Sequence, residues 1–198
     1  MDDAYPDLSP PVRLAIAYAP KRIRAAFAVL LRFDARFAEI VAHANEPLIG
    51  QMKLAWWRDA MLAAPAERPK GEPLLAKLTE LDDLTLVEAA VTLINAWETL
   101  VADQDWMAIT VRTFADARGT AVFGSYAKLA GETDFPAEVG QEWAANDLRV
   151  RFNGRVGQSP GSYVALPTRR VVRPLTILTM SVRQISGPRL ILHALTGR

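Results

Sequence analysis

The sequence predicts an all-α fold in a single domain, and three observations lead to that prediction. The chain has 198 residues, 51% of them hydrophobic, which is enough to build one substantial core. Apolar residues recur three and four positions apart, as they do on one face of a helix. Proline and glycine stand at the ends of these periodic segments, and no alternating segment lies beside a hairpin signal. We therefore expect a helical bundle over residues 5–198.

Proline and glycine mark where each predicted helix begins and ends. A short helix, Pro11–Tyr18, follows Ser9 at its N-cap and has proline in its first turn, where no N–H is needed. A long helix over Arg22–His43 stops before Pro47, and Gly131 is expected to end a later helix. The other predicted helices are Leu48–Ala63, Pro73–Leu81, Leu84–Val101, Trp106–Leu129 and Pro136–Phe152, followed after Leu166-Pro167 by two short helices that Gly187-Pro188 separates.

Charge divides the chain into two unequal parts. All 22 acidic residues lie between Asp2 and Asp147, whereas Leu148–Arg198 has nine arginines and no acidic residue. This basic part contains apolar stripes, which suit either an anionic membrane surface or the acidic helices of the protein itself. Nucleic acid is not an expected partner, because no binding motif is present. The stripes comprise Val171, Leu175, Leu178, Val182 and Ile185, and then Leu190–Leu195.

Several classes of chemistry are excluded by residues that the chain lacks. There is no cysteine, and therefore no disulfide framework, thiolate nucleophile or Cys-ligated metal. Neither glycine-rich phosphate-binding motif occurs, and the two histidines of the sequence, His43 and His193, lie on separate predicted helices. The start of the chain is acidic and proline-rich, unlike a signal peptide. We expect a cytoplasmic protein that can lie peripherally on the inner membrane surface.

The segment Leu48–Met61, LIGQMKLAWWRDAM, is the most informative in the chain. Trp56 and Trp57 lie about 100° apart on a helix, so they cannot share one face. One is expected in the core and the other against a neighbouring helix or a partner.

Two N-terminal runs resemble the squalene/phytoene synthase family: Phe27–Val41 (FAVLLRFDARFAEIV) and Ile49–Arg58 (IGQMKLAWWR). Arg118–Gly124 (RGTAVFG) is similar to a glycine-containing helical turn of that family, and Gly140–Arg155 falls where the family has its second acidic helix. The resemblance implies an isoprenoid synthase-like helical bundle with a central cavity, here shortened towards its C-terminus. It also implies two facing helices whose aspartate motifs bind magnesium diphosphates.

The resemblance places few acidic residues where that chemistry needs them. Aligning the first motif puts Phe37, Ala38 and Val41 at the acidic positions, and aligning the second puts Arg151 and Arg155 there. The weak catalytic candidates are Asp34, Glu39 and Asp147. The residues expected to line and fill the cavity are Phe33, Phe37, Val41, Trp56 and Trp57.

Three functional hypotheses follow. The first is a degenerate family member, similar to the mitochondrial complex I assembly factor of the same fold. It would need no cofactor and would bind an isoprenoid, a lipid, an anionic membrane surface or a membrane-complex protein. The second is an active head-to-head prenyltransferase that uses Mg²⁺ through Asp34 with Glu39, or through Asp147 with Glu142. The third is a metal-free phosphate site at Arg151 and Arg155, one helical turn apart, against the alternative of an exposed basic face.

Overall fold

The computed structural model describes residues 5–44, 46–103, 105–156, 163–183 and 187–196. Over these residues the fold is helical and contains no strand, which confirms the predicted fold class. The helices are α1 (Pro10–Tyr18), α2 (Lys21–Ala42), α3 (Pro47–Leu62), α4 (Pro73–Leu81), α5 (Leu84–Ala102), α6 (Ala108–Gly119), α7 (Ser125–Ala130), α8 (Ala137–Arg151), α9 (Arg173–Val182) and α10 (Gly187–Thr196).

The core is built around α2 and α5. Helix α5 packs against α2, α3 and α6, and its Leu93, Ile94 and Trp97 have no exposed surface. By length and composition α5 could cross a membrane, with a mean hydropathy of 1.3 over 18 residues, and it is the one helix of the described residues that could. Half of that window is buried within the protein, which is also what a core helix of a soluble fold shows.

The predicted helix Trp106–Leu129 is divided in the structure. Its start is displaced because Trp106 has a φ of 50°, and α6 begins at Ala108. The Asp103 carboxylate holds this turn by accepting the N–H of Met107 at 2.8 Å. A π-helical turn, Thr120–Gly124, then separates α6 from α7. Gly131 ends α7 with a φ of 77°, as predicted, since that conformation costs glycine little.

The predicted N-cap of the first helix is only partly right. Ser9 occupies the N-cap position of α1 with an extended backbone, but its side chain makes no capping hydrogen bond. The prolines at the first two helical positions leave fewer backbone N–H groups for the serine hydroxyl to satisfy.

Helices α6 and α8 approach each other at two glycines. A Cβ added to Gly119 would lie 2.6 Å from the carbonyl carbon of Gly140, and one added to Gly140 would lie 3.1 Å from the carbonyl oxygen of Gly119. Only a residue without a side chain fits between these backbones. This contact sets the distance between α6 and α8, which matters because both helices contribute to the candidate site.

The basic C-terminal segment docks largely on the protein itself. Helix α9 packs on α1 and α8 and buries Leu175, Leu178 and Val182, whereas Ile185 lies outside the described residues. Arg183 donates two hydrogen bonds of 2.7 Å to the Glu142 carboxylate. Arg169 forms an ion pair with Glu132. The stripe on α9 therefore contacts the protein's own helices.

Helix α10 packs on α9 with one side only. Leu190, His193 and Ala194 are buried, and Nε2 of His193 lies 2.7 Å from the Thr176 hydroxyl. Its outer side exposes three large apolar residues: Ile191, Leu192 and Leu195.

Candidate functional site

Two aspartates that are far apart in the sequence meet at a single arginine. Arg118, near the end of α6, donates from Nε to Asp34 Oδ1 at 2.8 Å and from Nη2 to Asp34 Oδ2 at 2.6 Å. The same Nη2 donates to Asp147 Oδ2 at 2.5 Å. Asp34 belongs to α2 and Asp147 to α8, so the guanidinium joins three helices. We refer to Asp34, Arg118 and Asp147 as the buried triad.

The triad is enclosed by aromatic rings and further hydrogen bonds. The Arg118 side chain has no exposed surface, and its guanidinium carbon lies 4.1 Å from the centre of the Trp143 ring. Trp97 Nε1 donates to Asp34 Oδ1 at 3.0 Å, and Arg151 Nε donates to Asp147 Oδ2 at 2.6 Å. A buried charge that is paired and hydrogen-bonded in this way is tolerated, whereas an unpaired one is not.

Ionisation of the triad follows from these contacts. Burial by itself would lower the pKa of Arg118, but the charges of Asp34 and Asp147 outweigh burial and raise it. Burial by itself would raise the pKa of Asp147, but Arg118 and Arg151 outweigh burial and lower it. Arg118 and Asp147 are therefore both charged at neutral pH.

A small pocket of about 240 Å³ opens beside the triad, between α2 and α8. Asp34 and Asp147 line it together with Arg151, and hydroxyl groups come from Ser9 and Ser181. A cavity therefore exists between the two helices where the sequence places one, and carboxylates border it.

The donor set of this pocket does not fit Mg²⁺. Magnesium requires near-octahedral oxygen coordination, usually from one or two carboxylates with waters and phosphates. Both Asp34 oxygens and Oδ2 of Asp147 already accept hydrogen bonds from cationic or indole donors. The third carboxylate that lines the pocket, Asp7, accepts a hydrogen bond of 2.8 Å from Nε of Arg32. Among the described residues no group of three or more His, Cys, Asp or Glu could hold a metal ion. The cations at this site are the guanidinium groups of Arg118 and Arg151.

Glu39 lies apart from the triad. It is exposed on α2, and its ion pair with Arg36 spans 3.6 Å between Nη1 and Oε2. Glu39 does not line the pocket beside Asp34 and Asp147. The structure therefore brings together two of the three candidate carboxylates, and Glu39 is not one of them.

The expectation that Phe33, Phe37 and Val41 line the cavity is wrong. Phe33 and Phe37 are 0% exposed and Val41 is 6% exposed, so these side chains belong to the solid core. The rings of both phenylalanines pack edge-to-face on Trp57 of α3, with centroids 5.8 and 6.0 Å from it. The reason is the helical register, since the side of α2 that borders the pocket carries Leu31, Asp34 and Ala35.

The prediction that Arg151 and Arg155 form a phosphate site on one helix is also wrong. Helix α8 ends at Arg151, and Gly154 follows with a φ of 91°, so the two arginines are not one helical turn apart. Arg151 is bound to Asp147, whereas the Arg155 guanidinium lies 4.3 Å from the centre of the Trp106 ring. The helix ends where Phe152 packs on the Trp106 ring, at a centroid distance of 4.9 Å.

Trp56 and Trp57 line a groove on the other side of α2. The groove lies between α2 and α3, has a volume of about 580 Å³, and is separate from the pocket at the triad. Trp57 is 5% exposed, which confirms that one of the two rings is in the core. Trp56 is 46% exposed, and its predicted packing against a neighbouring helix or a partner stays a prediction.

Comparison with protein families identifies the fold. A family model described as squalene/phytoene synthase matches residues 9–138, more than half of the chain. The chain belongs to the squalene/phytoene synthase family. Comparisons with curated proteins and with solved structures gave no match. The matched part of this family member includes Asp34 and Arg118, whereas Asp147 lies beyond it.

In this family member, Arg118 is the residue of the buried triad that was not predicted from the sequence. It stands in the run RGTAVFG, which resembles the family, but nothing in that run indicates what its side chain binds. The available signal was the glycine that follows it, because a helical glycine often marks a close approach of two backbones. That signal indicates only that α6 lies close to a neighbouring helix, because Arg118 is turned by about 100° from Gly119 on the helix.

Proposed function

We propose that this member of the squalene/phytoene synthase family has lost magnesium-dependent diphosphate chemistry and acts by binding. The observation that supports the proposal is the buried triad, in which Arg118 neutralises the two aspartates that border the pocket. A guanidinium held by two carboxylates cannot be displaced by a metal ion without leaving a buried cation unpaired, which is costly. The triad therefore serves to hold three helices together.

Calorimetry tests this proposal directly. Mg²⁺ is titrated into the protein with and without a non-hydrolysable farnesyl diphosphate analogue, and no metal-dependent binding is expected. Micromolar binding that requires Mg²⁺ would contradict the proposal.

Incubation with farnesyl diphosphate, Mg²⁺ and NADPH tests the alternative of an active prenyltransferase. No hydrocarbon product is expected. A hydrocarbon product would contradict the proposal and establish the alternative.

An anionic membrane surface remains a predicted partner, and α10 offers a face for it. Ile191, Leu192 and Leu195 are exposed, and the exposed Arg189 lies on the same helix with no acidic residue nearby in the sequence. Apolar residues beside a cation suit the interface of an anionic bilayer. The predicted peripheral location on the inner membrane surface depends on such an attachment, and the predicted role in assembling a respiratory complex would be served by it.

Vesicle co-sedimentation tests the membrane surface. Binding to phosphatidylglycerol vesicles, and not to phosphatidylcholine vesicles, is expected to be lost in Ile191→Glu/Leu195→Glu. Leu84→Glu/Ile109→Glu is the matched control, because it introduces the same charges at exposed apolar residues outside α10. Equal sedimentation of both variants would remove α10 as the attachment site.

A further inference from the structure

We propose that the outer side of α3 is the contact surface of a symmetric homodimer, in which a second copy of the chain covers it. Four apolar residues on this side, which we call the α3 patch, are between 44% and 64% exposed: Leu48, Ile49, Met52 and Trp56. None of them lines the pocket at the triad or belongs to α10. The inference therefore does not depend on the proposed function.

Helix α3 is apolar on both of its sides. The inner side, which packs on α5 and α2, buries Leu54 and Trp57. The outer side repeats large apolar side chains at four-residue spacing, from Leu48 through Met52 to Trp56, which keeps them on one face. A helix that is apolar all round is normally buried. In the part of the chain that the structure describes, no residue covers the α3 patch, so its cover must come from another molecule.

The size of the α3 patch suits a protein partner. Its exposed surface is roughly 400–500 Å² in each chain, and patches of that size on a monomer are often functional. Two copies would cover twice that area, and the polar side chains around the patch bring the contact to the roughly 1,000 Å² that a specific interface needs. An interface at this lower limit predicts a reversible dimer.

The shape of the α3 patch favours a second copy over a small molecule. Ile49, Met52 and Trp56 line the groove of about 580 Å³ beside α2. Leu48 is exposed but does not line that groove, so a molecule bound in the groove would leave Leu48 uncovered. A second α3 extends over both parts of the patch. Such a two-fold contact is closed, because each copy presents the same surface to the other.

The charges around the α3 patch also favour a second copy. Arg36, Lys53 and Glu72 line the groove, and the exposed Asp59 lies on the outer side of α3, three residues after Trp56. Two cations and two carboxylates leave the edge of the patch without net charge. Two copies therefore do not repel one another, whereas an anionic bilayer is not attracted.

Sedimentation equilibrium of the full chain tests the inference. The measured mass is expected to rise from that of one chain to that of two across micromolar concentrations. Leu48→Glu/Met52→Glu places carboxylates on both sides of the contact and should weaken dimerisation at least about tenfold. Ile191→Glu/Leu195→Glu is the matched control, because it introduces the same charges on the exposed face of α10 and should leave the dimer intact. Circular dichroism verifies that both variants are folded.

Tryptophan fluorescence provides a second measurement. Trp56 is 46% exposed, whereas each of the other four tryptophans is at most 5% exposed. Dimerisation should move the emission maximum to shorter wavelength as the protein concentration rises, because the Trp56 ring leaves water. Trp56→Phe keeps an apolar ring at this position and should abolish the shift.

Three outcomes would overturn the inference. A wild-type chain that stays monomeric at every concentration would leave the α3 patch to a different partner. A dimer that Leu48→Glu/Met52→Glu does not weaken would place the contact on another surface. Binding to phosphatidylglycerol vesicles that this variant loses, and that the α10 variant keeps, would assign the patch to a bilayer.

Discussion

Two adjacent sides of α2 have opposite chemistry. One side carries Phe33 and Phe37, which are completely buried against Trp57 of α3. The next residue after Phe33 is Asp34, which is turned by about 100° and bound to Arg118 beside a pocket. The first side is held by apolar packing and the second by charge pairing. The Asp34 and Asp147 carboxylates beside the pocket are therefore neutralised by the buried Arg118, and phenylalanine side chains do not fill the cavity.

The largest expected effect is the loss of Arg118, because it leaves the buried Asp34 carboxylate without a cation and Asp147 with Arg151 alone. Arg118→Ala should lower the free energy of unfolding by about 3–5 kcal/mol, measured by urea denaturation. The triple variant Arg118→Met/Asp34→Asn/Asp147→Asn removes all three charges and should recover most of that loss.

A control on the apolar side sharpens this test. Phe37→Ala should also cost about 3 kcal/mol or more, by loss of buried area and creation of a cavity. The substitutions Asp34→Asn and Asp147→Asn should not restore the stability that is lost in Phe37→Ala. If they rescued Phe37→Ala as well as they rescue the loss of Arg118, the two sides of α2 would not be independent.

A smaller effect is expected where α6 meets α8. Gly119→Ala places a Cβ against the backbone of Gly140 and should lower stability by about 1–3 kcal/mol as the helices separate. Gly124→Ala is the matched control, since the nearest atom to its added Cβ is the Thr120 methyl carbon at 3.7 Å. Thermal denaturation compares the two. Equal melting temperatures would show that the glycine contact does not set the geometry of the triad.

The smallest expected effect is the pH dependence that Asp147 contributes. Its pKa in the folded protein is lower than the ordinary value of 3.8, so below pH 3.8 the unfolded chain binds more protons than the folded one. The stabilisation is complete above that pH and is lost as the pH falls through the lower, folded pKa.

Urea midpoints measured from pH 7 down to pH 2 should therefore fall less steeply in Asp147→Asn than in the wild type. Asp59→Asn, at an exposed residue of α3, should keep the wild-type slope. Identical slopes in all three proteins would contradict the assignment of this effect to Asp147.

Much of the fold was predictable because helix boundaries depend on local chemistry. Pro73–Leu81 was predicted at both ends, and the boundaries of α2, α3 and α8 differ from their predictions by one residue each. Proline, glycine and the spacing of apolar residues act over a few positions, so they can be read from the sequence. The division of Trp106–Leu129 was missed, because neither the strained turn at Trp106 nor the π-helical turn has a reliable local signature.

The candidate site was predictable only in part. Asp34 and Asp147 could be selected because they lie close to the positions where the family resemblance places the two acidic motifs. The role of Arg118 could not, since it lies 84 residues from Asp34 and 29 from Asp147, and a hydrogen bond across such separations depends on how helices pack. The arginine pair failed for a related reason, because the end of α8 depends on where Phe152 packs.

The sequence by itself determined the helices, the family and the division of charge between the two parts of the chain. The tertiary structure decided what those charges contact: Arg183 binds Glu142, Arg169 pairs with Glu132, and Arg118 binds two aspartates. Helix formation depends on neighbours within one turn, whereas a buried charge must find its partner wherever packing brings one within hydrogen-bond distance. For that reason the carboxylates of the site could be selected from the sequence. The arginine that binds them became apparent only from the packing of α2, α6 and α8.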